Sequence, residues 1–313
     1  MERVHTVRAL PRALRLPAVL ASLLLVLGVG VAAGDEDDER EVQVDVSSSK
    51  AVVKSESKAP DRKDELVLEF DNGEHLFLLK YESEDGDEEL EAEVKVELEG
   101  LLEWRDLNGN GRLDPDAGEV VQRVSLDDLD PSSVTFDPVE VEGVQGVKVV
   151  GASSAPDKHG DLALTLTLHA FGQFLEVGGT SLEPTSMKFD IHIEGFPYQE
   201  EDSALALSAT VEMKAEAEAE GVEEDGGEAI AARIGKYVSF FSWGAGVSVD
   251  GQPGTVGQTV VKREEKSELE GDGQESKLKS ELYLLYPRGE SILHDPKLGV
   301  RTASGGGAAC SLP

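Results

Sequence analysis

The residues best placed to do chemistry lie in one short run, Asp106-Leu107-Asn108-Gly109-Asn110-Gly111-Arg112-Leu113-Asp114. Asp106, Asn108, Asn110 and Asp114 put side-chain oxygens at the first, third, fifth and ninth positions of a calcium loop. Gly111 stands at the sixth, where such a loop turns sharply. Arg112 offers its backbone carbonyl at the seventh, and Leu113 is apolar at the eighth. Calcium needs about six to eight hard oxygen ligands around one point, and short Asx side chains alternating along a tight loop supply them. The pattern departs at the twelfth position, where Ala117 replaces a bidentate Glu. Asp116 or Glu119 takes that role if the chain leaves the loop by a shifted path. A partly neutral ligand set predicts weak affinity, about 10⁻⁴ to 10⁻³ M, as in extracellular modules. The plainer alternative is a Gly/Asn-rich turn that binds nothing.

A second set of oxygens is diffuse. Glu82, Glu84, Asp85, Asp87, Glu88, Glu89, Glu91 and Glu93 fall on one loop and one strand face, and Glu216, Glu218, Glu220, Glu223, Glu224 and Asp225 form another group. Alternating carboxylates on a strand lie about 6.6–7 Å apart, a row able to hold many cations weakly or to face a mineral. A solvated charged face is the default for such runs.

Catalytic constellations are not found. The sequence carries no Gly-x-Ser-x-Gly elbow, phosphate loop or dinucleotide fingerprint. Carboxylates are too abundant for any pair to be diagnostic. His75 falls on an inward strand face, and His169 and His192 read as single residues on polar faces. The chain is therefore expected to be a binding protein, not an enzyme. Trp104, Phe240, Phe241 and Trp243 could line a carbohydrate groove, but scarce aromatics more often serve the core.

These groups need strands to position them. Leu66, Leu68 and Phe70 alternate with polar residues up to Asn72-Gly73, a dipeptide suited to a two-residue hairpin turn. That turn sets Phe70 opposite His75 and Leu68 opposite Phe77. Asp85-Gly86 repeats the device and sets Tyr81 opposite Leu90, after which Leu90, Ala92, Val94, Val96 and Leu98 alternate with Glu and Lys. Residues 65–99 thus read as a three-stranded meander. The runs Leu162–Leu168, Met187–Ile193 and Leu205–Met213 alternate likewise, and 238–249 and 278–286 look like closing strands. The stretch 216–228 reads equally as a hairpin extension or a short helix. The expected fold is all-β: an antiparallel β-sandwich of roughly ten to twelve strands, or two packed β subdomains, with an EF-like loop between strands.

The remaining segments bound the setting. Arg3, Arg8, Arg12 and Arg15 precede an uncharged apolar stretch, Leu16 to Ala33, which ends in small residues before an acidic run. This is the form of a secretory signal, so residues 1–33 are read as a signal peptide and the product as secreted. Residues 34–63 read as a disordered polar leader, 64–300 as the folded domain and 301–313 as a flexible tail. The formal charge of −34 becomes −37 once residues 1–33, with four Arg and one Glu, are removed. Such a charge repels nucleic acids and anionic membranes. Cys310 is the only cysteine, so no intrachain disulfide supports the fold. No transmembrane segment is expected after residue 33.

Three further runs, Phe240-Phe241-Ser242-Trp243, Tyr286-Pro287-Arg288-Gly289 and Ser291-Ile292-Leu293-His294-Asp295-Pro296, occur in this order after the loop at 106–114. Together they resemble the skeletal acidic, aspartic acid-rich organic-matrix proteins of stony corals and their relatives, over roughly residues 64–300. The resemblance implies a secreted acidic protein associated with calcium carbonate deposition, and it implies no catalytic residues. Glu outnumbers Asp here and long poly-Asp tracts are absent. The sequence therefore points to an acidic calcium-binding extracellular matrix protein, with calcium ions, mineral or other matrix proteins as partners. A structural or adhesive subunit with a calcium-stiffened loop, or a glycan-binding module, are the alternatives.

Overall fold

The computed structural model describes residues 23–27, 39–59, 62–85, 88–141, 144–171, 175–177, 180–182, 185–215, 219–223, 229–234, 237–270 and 273–302. Seven strands come first: β1 (Leu23–Leu27), β2 (Glu39–Val46), β3 (Lys50–Ala59), β4 (Arg62–Asp71), β5 (Leu76–Asp85), β6 (Glu88–Trp104) and β7 (Val120–Ser125). Next are β8 (Asp130–Pro131), β9 (Thr135–Val141), β10 (Val144–Ser154), β11 (Ala163–Phe171), β12 (Leu175–Val177), β13 (Thr180–Leu182) and β14 (Ser186–Glu194). The chain continues through β15 (Ala204–Ala215), β16 (Ala219–Glu223), β17 (Ala229–Ile234), β18 (Tyr237–Ser242), β19 (Gly246–Val249) and β20 (Gln252–Thr255). It closes with β21 (Gly257–Glu270), β22 (Gly273–Tyr286), β23 (Ser291–His294) and β24 (Lys297–Thr302). One four-residue helix, α1 (Pro156–His159), is described.

Two antiparallel sheets pack face to face. The first runs β1-β2-β3-β4-β5-β6-β15-β22-β21, with β7 also beside β6. The second runs β16-β17-β18-β24-β14-β11-β10-β8, with β9, β19, β20 and β23 attached to it. Alternation explains the seam between them. Leu68, Phe77, Leu79, Val94 and Val96 line one inner face, and Leu164, Leu166, Phe189 and Ile191 line the other, all at most 2 % exposed. Phe77 stacks on Phe189 across the seam at 4.1 Å between ring centroids, and Tyr81 meets Tyr237 at 5.7 Å. Phe70, Phe241 and Trp243 extend the aromatic row.

The meander forms, but both hairpins differ from the expected register by two residues. Phe70 pairs with Phe77 rather than His75, and Tyr81 pairs with Ala92 rather than Leu90. A shift of two preserves the side-chain face, so the apolar residues still meet. The physical reason lies in Asn72, which does not take the positive φ of a two-residue turn; within residues 72–75 that conformation falls to His75, at φ 50°. Asn72 instead donates Nδ2 to the carbonyls of Ser132 and Ala152, at 3.1 and 3.0 Å, bolting this hairpin end to the opposite sheet. Glu88 pairs with Asp85, and residues 86–87 lie outside the described residues.

Residues 34–63 were expected as a disordered leader, yet they carry β2 and β3. Val44, Ala51 and Val53 are buried at 0, 2 and 4 % exposure and extend the first sheet's inner face. Their short apolar side chains alternate with Gln, Asp, Lys and Ser, which masks the pattern in composition. Leu23–Leu27, inside the apolar N-terminal stretch, pairs with β2, while 1–22, 28–38 and 303–313, with Cys310, lie outside the described residues. The expected domain start at 64 and tail from 301 likewise give way to β4 from Arg62 and β24 through Thr302. The count of strands among the described residues, 24, exceeds the expected ten to twelve, because many are short and pair two to a longer neighbour, as β8 and β9 do on β10 and β23 and β24 on β14. β16 occupies 219–223, so the acidic stretch adopts strand there; 216–218 and 224–228 lie outside the described residues. Among the described residues no helix is long and apolar enough to cross a membrane.

Candidate metal centre

The loop 105–119 joins β6 to β7, and a bulge in β6 decides where it sits. Ala209 pairs with Leu98 and Ser208 with Gly100, so Glu99 is the extra residue. Beyond it the strand's faces exchange. Leu101 stays in the main core, while Leu102 and Trp104 turn to the sheet's outer face. There they pack with Ala206, Tyr283, Leu285 and Leu113. Leu113, the eighth residue of the loop, is 1 % exposed and anchors the loop over this second cluster. Its N–H donates to Thr259 Oγ1 of β21 at 3.0 Å.

The loop is shaped by its own side chains. Asp106 Oδ1 accepts the N–H groups of Gly109 and Asn110 at 2.7 and 3.1 Å, and Oδ2 accepts that of Gly111 at 2.7 Å. These donors, Gly111 first, hold the Asp106 carboxyl below the usual aspartate range. Asn108 Oδ1 accepts from Asn110 N at 3.0 Å, and Asn110 Oδ1 from Arg112 N at 2.7 Å. Gly109 and Gly111 take φ of 73° and 70°, the left-handed conformation the tight path needs. A carboxamide oxygen has about two acceptor sites, so Asn108 Oδ1 and Asn110 Oδ1 each keep one beyond these bonds.

Glu119 sits apart from the rest in burial. It is 1 % exposed, while Asp106, Asn108, Asn110, Asp114 and Asp116 are exposed. Glu119 Oε1 accepts from Asn108 Nδ2 at 2.9 Å and Oε2 from Asp114 N at 2.8 Å. Of the two shifted-exit candidates, Glu119 is the one turned into the loop. Asp116 lies instead in a short 3-10 turn capped by Asp114, whose Oδ1 accepts the Asp116 N–H at 3.1 Å. Arg112 is exposed and gives its N–H to Asn110. Among the described residues no three His, Cys, Asp or Glu side chains form a metal-binding group. The loop's oxygens come from a mixed set with two carboxamides, and its carboxylates face backbone donors.

The other singled-out residues have structural partners. His75 is 1 % exposed, and Nε2 contacts Ser153 Oγ at 3.2 Å. His169 is not a lone surface residue: its Nε2 lies 3.0 Å from Asp190 Oδ2, and Asp190 also binds Lys188, which reaches Asp295 at 3.3 Å. Burial works to raise the Asp190 carboxyl, but His169 and Lys188 outweigh it and hold it low. The pairing of His169 with Lys188 across β11 and β14 brings this network together, a register not visible in either strand alone. His192 contacts Ser291 Oγ at 3.0 Å.

Trp104, Phe240, Phe241 and Trp243 are all at most 6 % exposed, so none lines an open groove. The runs at 240–243, 286–289 and 291–296 converge in the core. His294 Nε2 lies 2.5 Å from the Trp243 carbonyl, and its Nδ1 lies 3.0 Å from Tyr286 Oη. In the backbone register Glu82 stands opposite Glu91 and Glu84 opposite Glu89 across β5 and β6. Glu93 is neutralised by Lys214 at 3.1 Å and Lys80 at 3.7 Å. Of the second acidic group, Glu220 and Glu223 fall in β16 and the others lie outside the described residues. No protein-family model matches the chain, and neither does any curated protein.

Proposed function

We propose that the chain is a secreted, acidic, calcium-binding protein of an extracellular matrix, with the loop 106–119 as its specific calcium site. The observation that carries this reading is the buried carboxylate of Glu119 beside Asn108 and Asp114. It supplies the acidic group that Ala117 lacks at the twelfth position of the pattern. Asp106, Asn108, Asn110, Asp114 and the Arg112 carbonyl would complete an oxygen set of the size calcium takes, leaving Asp116 to solvent. The ion would offset the charge of a loop in a chain of formal charge −34 and stiffen a segment clamped at Leu113. The excess of carboxylates over basic side chains favours further, weaker cation binding, and the coral-protein resemblance adds a contribution to mineral deposition. Secretion rests on the Arg-flanked apolar stretch at 16–33.

Thermal unfolding tests the specific site. Calcium at a hundred times its dissociation constant should stabilise the chain by about 2.7 kcal/mol relative to magnesium at matched ionic strength. Glu119→Gln should remove most of that gain. Equal gains from calcium and magnesium, or an undiminished gain in the variant, would count against the loop.

A further inference from the structure

The chain contains three Asn-Gly dipeptides, Asn72-Gly73, Asn108-Gly109 and Asn110-Gly111. Covalently they are alike: glycine has no Cβ, so its backbone nitrogen is free to approach the preceding asparagine Cγ. The fold makes them different.

Asn72 is 1 % exposed, with Nδ2 held by two carbonyls and Oδ1 without a hydrogen-bond donor among the described residues. Gly151 packs against it so closely that a Cβ there would lie 2.5 Å from Asn72 Cγ. Asn110 is the reverse in each respect. It is exposed, its Oδ1 accepts the Arg112 N–H at 2.7 Å, and its Nδ2 has no protein acceptor among the described residues. A Cβ added at Gly111 would meet nothing within 4 Å. Asn108 is intermediate: exposed, with a weaker donor on Oδ1 at 3.0 Å, and with Nδ2 tied to Glu119. The carboxylate facing the glycine N–H does not discriminate, since Asp71 faces Gly73 as Asp106 faces Gly111.

We propose that Asn110 is a site of intramolecular deamidation in the native chain, with Asn108 slower and Asn72 protected. The Gly111 nitrogen bonds to Asn110 Cγ and releases to water the proton it shares with Asp106 Oδ2. The Arg112 N–H holds the oxygen on which negative charge develops. The Cγ–Nδ2 bond then breaks, and the amide nitrogen takes a proton from water and leaves as ammonia. Water opens the resulting succinimide at one of its two carbonyls, giving aspartate or isoaspartate. The first product puts a full charge at the fifth loop position; the second lengthens the backbone there by one methylene.

Ageing the chain at neutral pH in chelator, which keeps metal out of the question, followed by tryptic mass spectrometry, tests the order. Residues 106–112 carry both loop asparagines and 64–80 carry Asn72, and fragment ions separate Asn108 from Asn110. Asn110 should convert at least about ten-fold faster than Asn72, with Asn108 between, and the three rates should converge in urea. Native rates that are equal at Asn72 and Asn110, or an order that persists in urea, would overturn the proposal.

Discussion

Glu119 Oε1 lies 2.9 Å from Asn108 Nδ2 while its Oε2 lies 2.8 Å from the backbone nitrogen of Asp114. One buried carboxylate thus ties the third position of the loop to the ninth. Glu119→Ala leaves both donors without an acceptor, which should cost about 1–3 kcal/mol even in chelator. Glu119→Gln keeps an oxygen in place and should cost less. Urea unfolding measures both, and an unchanged midpoint for Glu119→Ala would show that the contact carries no stability.

The bolt between the two sheets at Asn72 depends on a glycine. A Cβ on residue 151 would lie 2.5 Å from Asn72 and 2.8 Å from the Phe70 ring. Gly151→Ala should therefore destabilise by about 1–3 kcal/mol through overpacking. Denaturant unfolding at constant m-value is the check.

Stability should fall as pH drops below neutrality, from two buried histidines. Burial pushes the His294 and His75 imidazoles below their ordinary value of 6.5. The unfolded chain then takes up protons that the folded chain refuses. Their contribution is complete above about pH 6.5 and is lost as pH falls from there through the folded values, at up to about 1.4 kcal/mol per pH unit for each group. Midpoints measured from neutral pH to about pH 5 should show the slope, and His294→Gln should flatten it. A slope unaltered by that change would assign it to other groups.

The stacked pair across the seam should dominate the core. Phe77→Ala removes a ring with no solvent exposure that stacks on both Phe70 and Phe189, and should cost about 3–5 kcal/mol. Calorimetric or denaturant unfolding gives the value, and a loss under 1 kcal/mol would mean the seam collapses to fill the space.

Faces were legible in the sequence because period-two alternation depends only on parity. Leu162 to Leu168, Met187 to Ile193 and Leu205 to Met213 all bury the residues that alternation selects. Register was not, because Asn72 acts through Ser132 and Ala152, some 60 and 80 residues away, and no local rule contains those partners. The strands of 39–59 were hidden for a similar reason. Val44, Ala51 and Val53 are too small and too diluted by Lys and Ser to stand out, and gain their burial from the sheet they join. In the loop, the Asx spacing and the Gly positions were readable. The choice of Glu119 over Asp116 was not, since it follows from the pairing of β7 with β6, which turns residue 119 inward.

Calorimetric titration of the chain with calcium, beside an Asp106→Ala/Asp114→Ala double variant, decides whether the loop is a calcium site. A calcium loop should give one resolvable site of about 10⁻⁴ to 10⁻³ M above a weak multisite background, with only that site lost in the variant. Identical diffuse isotherms for the two proteins would contradict it, leaving the loop an ordinary turn and the acidic surface alone to hold cations.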